Sequence, residues 1–252
     1  MKIFKEIFAR IWAAWGILLF ISSMLFLMIP FIVVSYYKEP KKTIGFVKIS
    51  RIWMHIFLNG IFCPLTVKGK EHFMPGKNYV IVCNHNSLMD VPITCPFVPG
   101  GNKTIAKAEM AKTPVFGMLY RLGTVLVDRN SEKSRRDSFA KMKRVLAMGL
   151  HMTIYPEGTR NTTNEPLKAF QDGAFRLAIG TGKEIIPTLV FHTRKVLPAD
   201  KTFYLLPHSL QMHFLPPVSI GENATVSELK QKVFNLMKDY YVTHNPSSPE
   251  KP

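Results

Sequence analysis

The sequence predicts an α/β fold, a mostly parallel sheet flanked by helices, with an N-terminal hydrophobic helical membrane anchor. Two observations predict it. From Pro64 onward, short runs rich in Val, Ile and Thr alternate with polar stretches of helical periodicity, as in a parallel sheet. Residues 11–37 contain no charged side chain, which is typical of a segment embedded in lipid. We therefore expect membrane-anchoring helices over 1–63, an α/β domain over 64–242 and a disordered tail over 243–252.

The first apolar segment is long enough to cross a membrane. As a helix rising ~1.5 Å per residue, residues 11–37 would extend roughly 40 Å, more than the ~30 Å hydrocarbon core. Basic residues flank both ends, so the positive-inside rule gives no orientation. If both ends lie on the cytoplasmic face, the segment dips into the membrane and returns, or forms a hairpin with the next helix, around a bend at Pro30.

A second helix is predicted over residues 44–65, where apolar side chains recur at helical spacing between basic ones. Trp53 and the basic interruptions Lys48, Arg51 and His55 favour an amphipathic helix at the membrane interface. The alternative is a helix of the α/β domain's own core. The apolar positions are Phe46, Ile49, Ile52, Trp53, Ile56 and Phe57.

The α/β domain is predicted to contain seven strands. Six of them are short apolar runs bounded by Gly, Pro or Asn, at 65–69, 78–84, 103–109, 124–129, 151–157 and 184–191. The seventh, at 210–218, is a late strand with an alternating pattern, expected near a sheet edge. A helix over 131–149 presents Phe139, Met142, Val145 and Leu146 on one side and basic residues on the other. Thr225 and Glu228 form a capping box that opens a last helix extending to about Tyr241.

Charge and cysteine content limit the function classes. Lys and Arg number 33 against 17 Asp and Glu, a net charge of +16, which predicts attraction to phosphates of lipids, nucleic acids or acidic carriers. The three cysteines are Cys63, Cys83 and Cys95, with neither CxxC nor Cys/His metal spacing. They indicate reduced thiols in a cytosolic compartment and argue against a structural zinc site.

The stretch "VIVCNHNSLMDVP" places His85 just after a predicted strand and Asp90 five positions later. On one helix the two side chains would point about 140° apart, so they can meet only across a turn. Such a pair would orient the imidazole as a general base towards a hydroxyl. The alternative is a capped helix start, since Ser87 and Asp90 match the [ST]-x-x-[DE] pattern. Cys83 is a competing nucleophile, but its spacing places it among buried strand positions.

Three other predicted strand ends carry polar residues. "YPEGTRN" follows one strand, while Arg129 and Lys107 end two others. In a parallel sheet these ends converge on one rim, where ligands usually bind. A cationic rim beside a general base suits an acceptor with both a hydroxyl and a phosphate. Taken singly, each feature is also compatible with a salt-bridged turn or a solvated charge.

The ordered motifs resemble the 1-acylglycerol-3-phosphate acyltransferases of the glycerolipid acyltransferase superfamily. Five blocks between Val80 and Phe191 carry the resemblance: "NHNSLMD", "KAEMAKTPVFG", "GTVLVDR", "EGTR" and "IIPTLVF". One block departs from the family pattern. Where the family has Phe-Lys-[Lys/Arg]-Gly-Ala-Phe, this chain has "FQDGAF", so Gln171 and Asp172 replace two basic residues.

The resemblance implies transfer of a fatty acyl group from a thioester to the sn-2 hydroxyl of 1-acylglycerol 3-phosphate, giving phosphatidic acid. It makes His85 the base and Asp90 its orienting partner. It also implies a substrate-binding set of Lys107, Arg129, Glu157, Gly158, Thr159 and Arg160. It implies no metal and no cofactor beyond the acyl-CoA or acyl carrier protein thioester as co-substrate.

The partners so implied are lysophosphatidate, the acyl donor and the anionic cytoplasmic leaflet of a membrane, with the active site on the cytoplasmic face. Three alternatives stay open. The acceptor can be glycerol 3-phosphate or another lysolipid; the same cleft can serve a lipid hydrolase or thioesterase; and the basic charge can belong to a membrane-tethered binding protein. No nucleic-acid module is recognisable, so we expect no nucleic-acid partner.

Overall fold

The computed structural model describes residues 2–128 and 130–245. A seven-stranded sheet separates two helical layers, which confirms the predicted mixed fold. Successive strand residues alternate between the two faces: Ile81 and Cys83 pack into one apolar core, and Val80 and Val82 pack into the other. The first core includes side chains of the N-terminal helices, so these helices form part of one layer of the sandwich.

Three helices make up the N-terminal region: α1 (Lys2–Phe26), α2 (Met28–Ser35) and α3 (Lys41–Gly60). The predicted interruption near Pro30 is confirmed, although the break itself lies at Leu27. Proline has no N–H to donate to the preceding turn, so the helix is weakened upstream of it. Among the described residues, α1 alone is long and apolar enough to cross a membrane by length and composition.

We predicted that α3 is an amphipathic helix at the membrane interface. This prediction is wrong for Trp53 and Phe57. Trp53 and Phe57 are 7% and 5% exposed and belong to the core shared with the sheet. Arg51 also faces the α/β domain, where it donates to the carbonyls of Pro96 and Val98 at 2.7 and 3.0 Å. The alternative, a helix that packs on the α/β domain, describes this side of α3. Periodicity failed to distinguish the two because lipid and protein core select the same apolar residues.

All seven predicted strands are confirmed. Their bounds are β1 Leu65–Lys68, β2 Val80–Cys83, β3 Asn102–Lys107, β4 Thr124–Val127, β5 His151–Ile154, β6 Ile185–Phe191 and β7 Leu210–Phe214. The spatial order is β1-β7-β6-β2-β5-β3-β4, in which β7 is antiparallel to β6 and parallel to β1. β2 to β6 therefore run in one direction, and the late strand β7 lies next to the edge strand β1.

The described residues of the α/β domain form six further helices. They are α4 Asp90–Thr94, α5 Phe116–Gly123, α6 Glu132–Ala147, α7 Gly173–Ile179, α8 Thr193–Val196 and α9 Val226–His244. The buried side of α6 includes Met142, Val145 and Leu146, as predicted. The capping box of Thr225 and Glu228 opens α9. α9 ends at His244, past the expected boundary at 242, and residues 246–252 of the expected tail lie outside the described residues.

The parallel strands bring their carboxyl ends to one rim of the sheet. β2 leads into His85, and its neighbour β5 leads into the Tyr155–Asn161 stretch. β3, which ends at Lys107, is the next strand beyond β5. The predicted convergence of these motifs on one rim is therefore confirmed, with spacings set by the ~4.8 Å between neighbouring strands.

Candidate active site

The turn that carries His85 is fixed by the residue before it. Asn84 Nδ2 donates to Val190 O at 3.1 Å, and Val190 N donates to Asn84 Oδ1 at 2.8 Å. The side-chain amide thus continues the pairing of β2 with β6 after the β2 backbone has left the sheet. His85 is consequently released from the ladder at the rim, with 18% of its side chain exposed.

His85 and Asp90 meet across this turn, as the spacing predicts. His85 Nδ1 lies 2.8 Å from Asp90 Oδ2, and Asp90 is completely buried. The same oxygen accepts from the backbone N–H groups of Asn86 and Ser87 at 2.5 and 2.7 Å. Asp90 therefore holds both the turn and the imidazole. With Nδ1–H donated to the carboxylate, Nε2 is the nitrogen that can accept a proton.

The capping alternative for Ser87 and Asp90 is formed as well, since Asp90 Oδ2 accepts from Ser87 N and Ser87 Oγ accepts from a following backbone N–H. Ser87 Oγ donates to Leu197 O at 2.6 Å and accepts from Met89 N at 3.1 Å. Asp90 opens α4, and its carboxylate turns back to the preceding backbone amides. The start of the helix and the histidine–aspartate pair thus use the same aspartate and are compatible.

Glu157 faces inward and binds backbone groups. Its Oε1 accepts from His85 N at 2.8 Å and its Oε2 from Lys168 N at 3.0 Å, and the residue is only 4% exposed. Burial raises the pKa of this carboxyl to about 7. The contact of Glu157 with the acceptor stays a prediction; in this structure both of its oxygens accept from backbone N–H groups. The polar "EGTR" pattern indicates a loop at the rim but gives no direction for the glutamate side chain.

Tyr155 is a site residue to which the sequence pattern gave no role. Its ring centroid lies 4.5 Å from that of His85, and its hydroxyl contacts Thr94 Oγ1. Because Thr94 Oγ1 donates its own proton to Asp90 O at 2.8 Å, the tyrosine hydroxyl must be the donor to the threonine. Burial raises the Tyr155 pKa well above its ordinary value. The contact depends on the packing of β5 against α4, which no local pattern indicates.

The remaining predicted binding residues lie on the rim around this centre. Gly158 adopts φ 73°, a left-handed conformation that favours glycine, and its N–H closes a turn on Tyr155 O at 3.1 Å. Thr159 is exposed, Arg160 is half-buried and Lys107 is exposed. Arg129 lies outside the described residues. Direct contacts therefore join His85, Asp90 and Glu157, whereas Lys107 lies two strands away from β2.

Two cations that the sequence reasoning missed support the same loop. Lys168 Nζ donates to Thr159 Oγ1 at 2.7 Å, while Arg194 donates to the carbonyls of Asn161 and Thr163. Asn161 N in turn donates to His85 O at 2.6 Å. Lys168 and Arg194 are isolated basic residues that belong to no motif in the sequence. Their contacts with this loop are therefore visible only in the folded structure.

The departure at "FQDGAF" has a structural explanation. Asp172 accepts from Lys230 Nζ at 2.7 Å and from Arg176 at 3.2 Å, which ties the start of α7 to α9. These bonds lower the pKa of the Asp172 carboxyl. Gln171 N donates to Pro156 O at 2.8 Å and so lies against the loop after β5. The acidic substitution thus forms its own ion pairs within the domain.

An apolar cavity of about 380 Å³ opens beside the turn that joins His85 to Asp90. Leu88 and Val91 line it on the side of His85 and Asp90, and Phe46, Trp53 and Leu119 line it on the side of α3 and α5. Its size is that of a small-molecule pocket. The arrangement places the His85–Asp90 pair next to an apolar cavity.

Cys83 cannot compete as a nucleophile in this arrangement. It is fully buried on β2, and burial raises its thiol pKa well above the ordinary value. A thiol must ionise to attack, so this side chain is inert. All three cysteines are free thiols, consistent with the sequence interpretation.

Comparison with known proteins gives a consistent family assignment. An acyltransferase family model matches residues 64–190, which is half of the chain. A coconut (Cocos nucifera) protein described as 1-acyl-sn-glycerol-3-phosphate acyltransferase is 28% identical over 75% of this chain and 60% of its own length. A human protein described as the alpha form of that enzyme is 33% identical over 68% of this chain and 60% of its own length. The chain therefore spans about 60% of the length of these relatives.

One solved structure is similar over nearly the whole chain. The crystal structure of the 1-acyl-sn-glycerophosphate (LPA) acyltransferase PlsC from Thermotoga maritima superposes with a TM-score of 0.80 at 20% identity, covering 98% of both chains. At this level of identity the match supports the fold, including the position of the N-terminal helices.

Proposed function

The chain belongs to the acyltransferase family, and on this basis we propose that it transfers a fatty acyl group from a thioester to the sn-2 hydroxyl of 1-acylglycerol 3-phosphate, giving phosphatidic acid. The observation that carries the proposal is the 2.8 Å contact of His85 Nδ1 with the buried Asp90 at the rim of the sheet. It prepares Nε2 to accept a proton from a hydroxyl.

The acyl group passes directly from the thioester to the acceptor, without an acyl-enzyme intermediate. Nε2 of His85 takes the proton of the acceptor hydroxyl. At the same time the hydroxyl oxygen attacks the thioester carbonyl and forms the new C–O bond. The C–S bond then breaks, and the departing thiolate takes the proton from the imidazolium. Asp90 stabilises the imidazolium between the two proton transfers. The base returns to its starting state with one ester and one thiol formed.

The fatty chain of a substrate fits the apolar cavity. Transfer of apolar surface out of water contributes roughly 25 cal/mol per Å², so a long chain supplies most of the binding free energy. Leu88 and Val91 lie between the catalytic turn and this cavity. A chain seated there would bring its carbonyl end towards His85.

Cations on the rim supply the contacts for the acceptor's phosphate. Arg160 follows the loop that holds His85, and Lys107 ends β3. Arg129 is assigned to the same phosphate from the family motif. A guanidinium can bind a phosphate through two parallel hydrogen bonds, whereas the lysine contributes a point charge. The co-substrate is an acyl-CoA or acyl carrier protein thioester, and the proposal uses no metal or other cofactor.

The long apolar helix α1 suits association with a membrane. We place the active site on the cytoplasmic face, where the +16 charge of the chain favours the anionic leaflet. Lysophosphatidate carries its chain in the bilayer and its phosphate at the surface. A rim that combines cations with an apolar cavity serves both parts of such a molecule.

The test is an acceptor panel with purified protein. With acyl-CoA or acyl carrier protein as donor, thiol release should require lysophosphatidate, and mass spectrometry should detect phosphatidic acid. His85→Ala should lower the rate by about 10²–10⁴-fold, the contribution of a general base. His244→Ala is the matched control, because His244 is exposed on α9, across the sheet from the N-terminal helices.

Three outcomes would contradict part of the proposal. Preferred use of glycerol 3-phosphate or another lysolipid would reassign the acceptor within the family. Thiol release without any acceptor would favour the thioesterase alternative, and full activity of His85→Ala would eliminate this residue as the base.

A further inference from the structure

The cavity beside His85 is apolar over most of its wall, but two buried hydroxyl groups on this wall have no partner. Ser50 of α3 and Thr104 of β3 both line the cavity, and they are 6% and 5% exposed. Neither Ser50 Oγ nor Thr104 Oγ1 has an oxygen or nitrogen partner among the described residues. A buried hydroxyl without a partner costs free energy, so folded proteins contain few of them.

The immediate neighbours of these hydroxyls do not satisfy them. A serine within a helix often donates to the carbonyl four residues earlier, but Ser50 makes no such bond. Thr104 lies beside the thiol of Cys95, which is a weak hydrogen-bonding group. Burial raises the pKa of this thiol to about 11, so it stays uncharged at neutral pH. Both oxygens therefore keep their capacity to bind a partner in the cavity.

Two hydrogen bonds join the three elements around these hydroxyls. Arg51 of α3 donates to Pro96 O at 2.7 Å. Asn102 Nδ2 of β3 donates to Cys95 O, also at 2.7 Å. Thr104 is two residues after Asn102, so both side chains point to the same face of the sheet. The helix α3, the end of α4 and the strand β3 therefore meet at one level of the cavity, where both hydroxyls lie.

Two other polar side chains of the cavity wall already have partners. Thr124 Oγ1 donates to Tyr120 O at 2.6 Å. The Asn102 amide uses both of its ends, since its oxygen accepts from Thr153 Oγ1 at 3.2 Å. The hydroxyls of α3 and β3 differ from these groups because they remain available to a ligand.

The strand register gives the depth of the hydroxyls below the turn that carries His85. Thr104 lies level with Ile81 of β2, because the residues before them both pair with Met152 of β5. His85 follows Ile81 by four residues, which is roughly 13 Å along a strand. An extended acyl chain covers this distance in about ten carbon atoms, since its C–C bonds of ~1.5 Å form a zigzag.

We propose that the cavity recognises an acyl donor whose chain carries a hydroxyl near its middle. With the thioester carbonyl at His85, this hydroxyl would lie between Ser50 and Thr104. A hydroxyl both donates and accepts, so one group can pair with both side chains. An unsubstituted chain leaves the two oxygens unpaired, and the site therefore discriminates against it. The inference rests on the proposed acyl transfer, because it names the class of acyl thioester that this reaction uses.

A donor panel with lysophosphatidate as acceptor tests the proposal. The donors are stearoyl-CoA, 10-hydroxystearoyl-CoA and 3-hydroxystearoyl-CoA. The ratio of kcat/KM for the 10-hydroxy donor to that for stearoyl-CoA should fall about tenfold in the double variant Ser50→Ala, Thr104→Val, as expected for losing one or two neutral hydrogen bonds. The ratio for the 3-hydroxy donor should stay constant, because its hydroxyl lies close to the carbonyl. An unchanged 10-hydroxy ratio in the double variant would overturn the proposal.

Thr124→Val is the matched control for these substitutions. It removes a hydroxyl from the same wall, but one that is already paired with Tyr120 O. This variant should keep the selectivity ratio and lower the urea midpoint of unfolding. Ser50→Ala and Thr104→Val should leave the midpoint unchanged or raise it, because their hydroxyls have no partner to lose. A clear drop of the midpoint in either one would show that its hydroxyl is used within the protein, which contradicts the proposal.

Ligand displacement separates this inference from the proposed function. A fluorescent fatty acid bound to the detergent-solubilised full chain is displaced by stearate or by 10-hydroxystearate. The advantage of the hydroxylated acid over stearate should be about tenfold larger in the natural protein than in the double variant. This result without acyl transfer would support the site and contradict the proposed function. Acyl transfer with no difference between the two proteins would overturn the inference alone, as it would if trapped water satisfied both hydroxyls.

Discussion

The carboxylate of Glu157 accepts a hydrogen bond from the backbone N–H of His85 at 2.8 Å. On the other side of the same residue, Asn161 N donates to His85 O at 2.6 Å. The loop after β5 thus holds both backbone polar groups of the proposed base. A shift of this loop would move the imidazole relative to the cavity. Glu157 is therefore a positioning residue for His85.

Glu157→Gln should lower kcat and leave the KM for lysophosphatidate nearly unchanged. The amide offers one acceptor oxygen, so its NH₂ group must face either His85 N or Lys168 N. Loss of a hydrogen bond to a charged group costs about 1.5–3 kcal/mol, which corresponds to a roughly 10–100-fold lower kcat if it is lost from the transition state. Steady-state kinetics with varied acceptor measure both constants. Glu165→Gln, an exposed residue of the same loop, is the matched control. A large rise in KM at constant kcat would instead support direct acceptor binding.

The pH dependence of activity should report the protonation of Glu157. Burial raises its pKa to about 7, so the carboxylate is lost as the pH falls through this value. Activity should therefore fall more steeply towards acid pH in the natural protein than in Glu157→Gln, whose side chain does not titrate. Equal slopes would mean that the charge on Glu157 does not affect the base.

Local patterns predicted much of this arrangement. The capping box at Thr225 and the break near Pro30 depend on neighbouring residues, so they could be read from the sequence. The His85–Asp90 pair was predictable because its spacing permits contact only across a turn. Glu157 could not be oriented in this way, since its partner His85 lies 72 positions earlier in the chain. Its direction is set by the pairing of β2 with β5.

The ring and the hydroxyl of Tyr155 should make separable contributions to kcat. Tyr155→Phe keeps the ring against His85 and removes the hydroxyl that donates to Thr94, so we expect a few-fold loss of kcat. Tyr155→Leu removes the ring as well and should cost at least tenfold more. A double-mutant cycle with Thr94→Val measures the coupling of the two hydroxyls, expected at about 1 kcal/mol. Additive effects of Tyr155→Phe and Thr94→Val would show that the bond between them is not used.

For α3 the sequence pattern could not distinguish the side that faces the protein from the side that is exposed. Its apolar residues were placed at helical spacing, but Trp53 faces the protein whereas Ile52 and Ile56 are 54% and 40% exposed. A helix between a protein core and lipid is apolar on both sides. The partner of each side is decided by the packing of α1 and the sheet, which is a property of the whole fold.

Arg160→Gln should raise the KM for lysophosphatidate by about tenfold or more with little change in kcat, the reverse of Glu157→Gln. A charge-assisted phosphate contact contributes about 1.5–3 kcal/mol to binding. The effect should disappear with monoacylglycerol, which has no phosphate. Arg136→Gln is the control, because Arg136 is an exposed guanidinium on α6. If the KM of Arg160→Gln matched that of this control, Arg160 would not contact the acceptor.

His151 should make the stability of the protein depend on pH. The side chain is buried, and its Nδ1 accepts from Tyr79 N at 3.1 Å, which requires a neutral imidazole. Burial lowers its pKa to about 4 from an ordinary value of 6.5. Between these values the unfolded chain binds a proton that the folded protein does not. The contribution of His151 is therefore complete above pH 6.5 and is lost as the pH falls towards 4, by about 3 kcal/mol. Urea unfolding of the natural protein and His151→Gln at several pH values measures it. The difference in free energy of unfolding between the two should grow with pH over this range, and a constant difference would show that His151 does not titrate on unfolding.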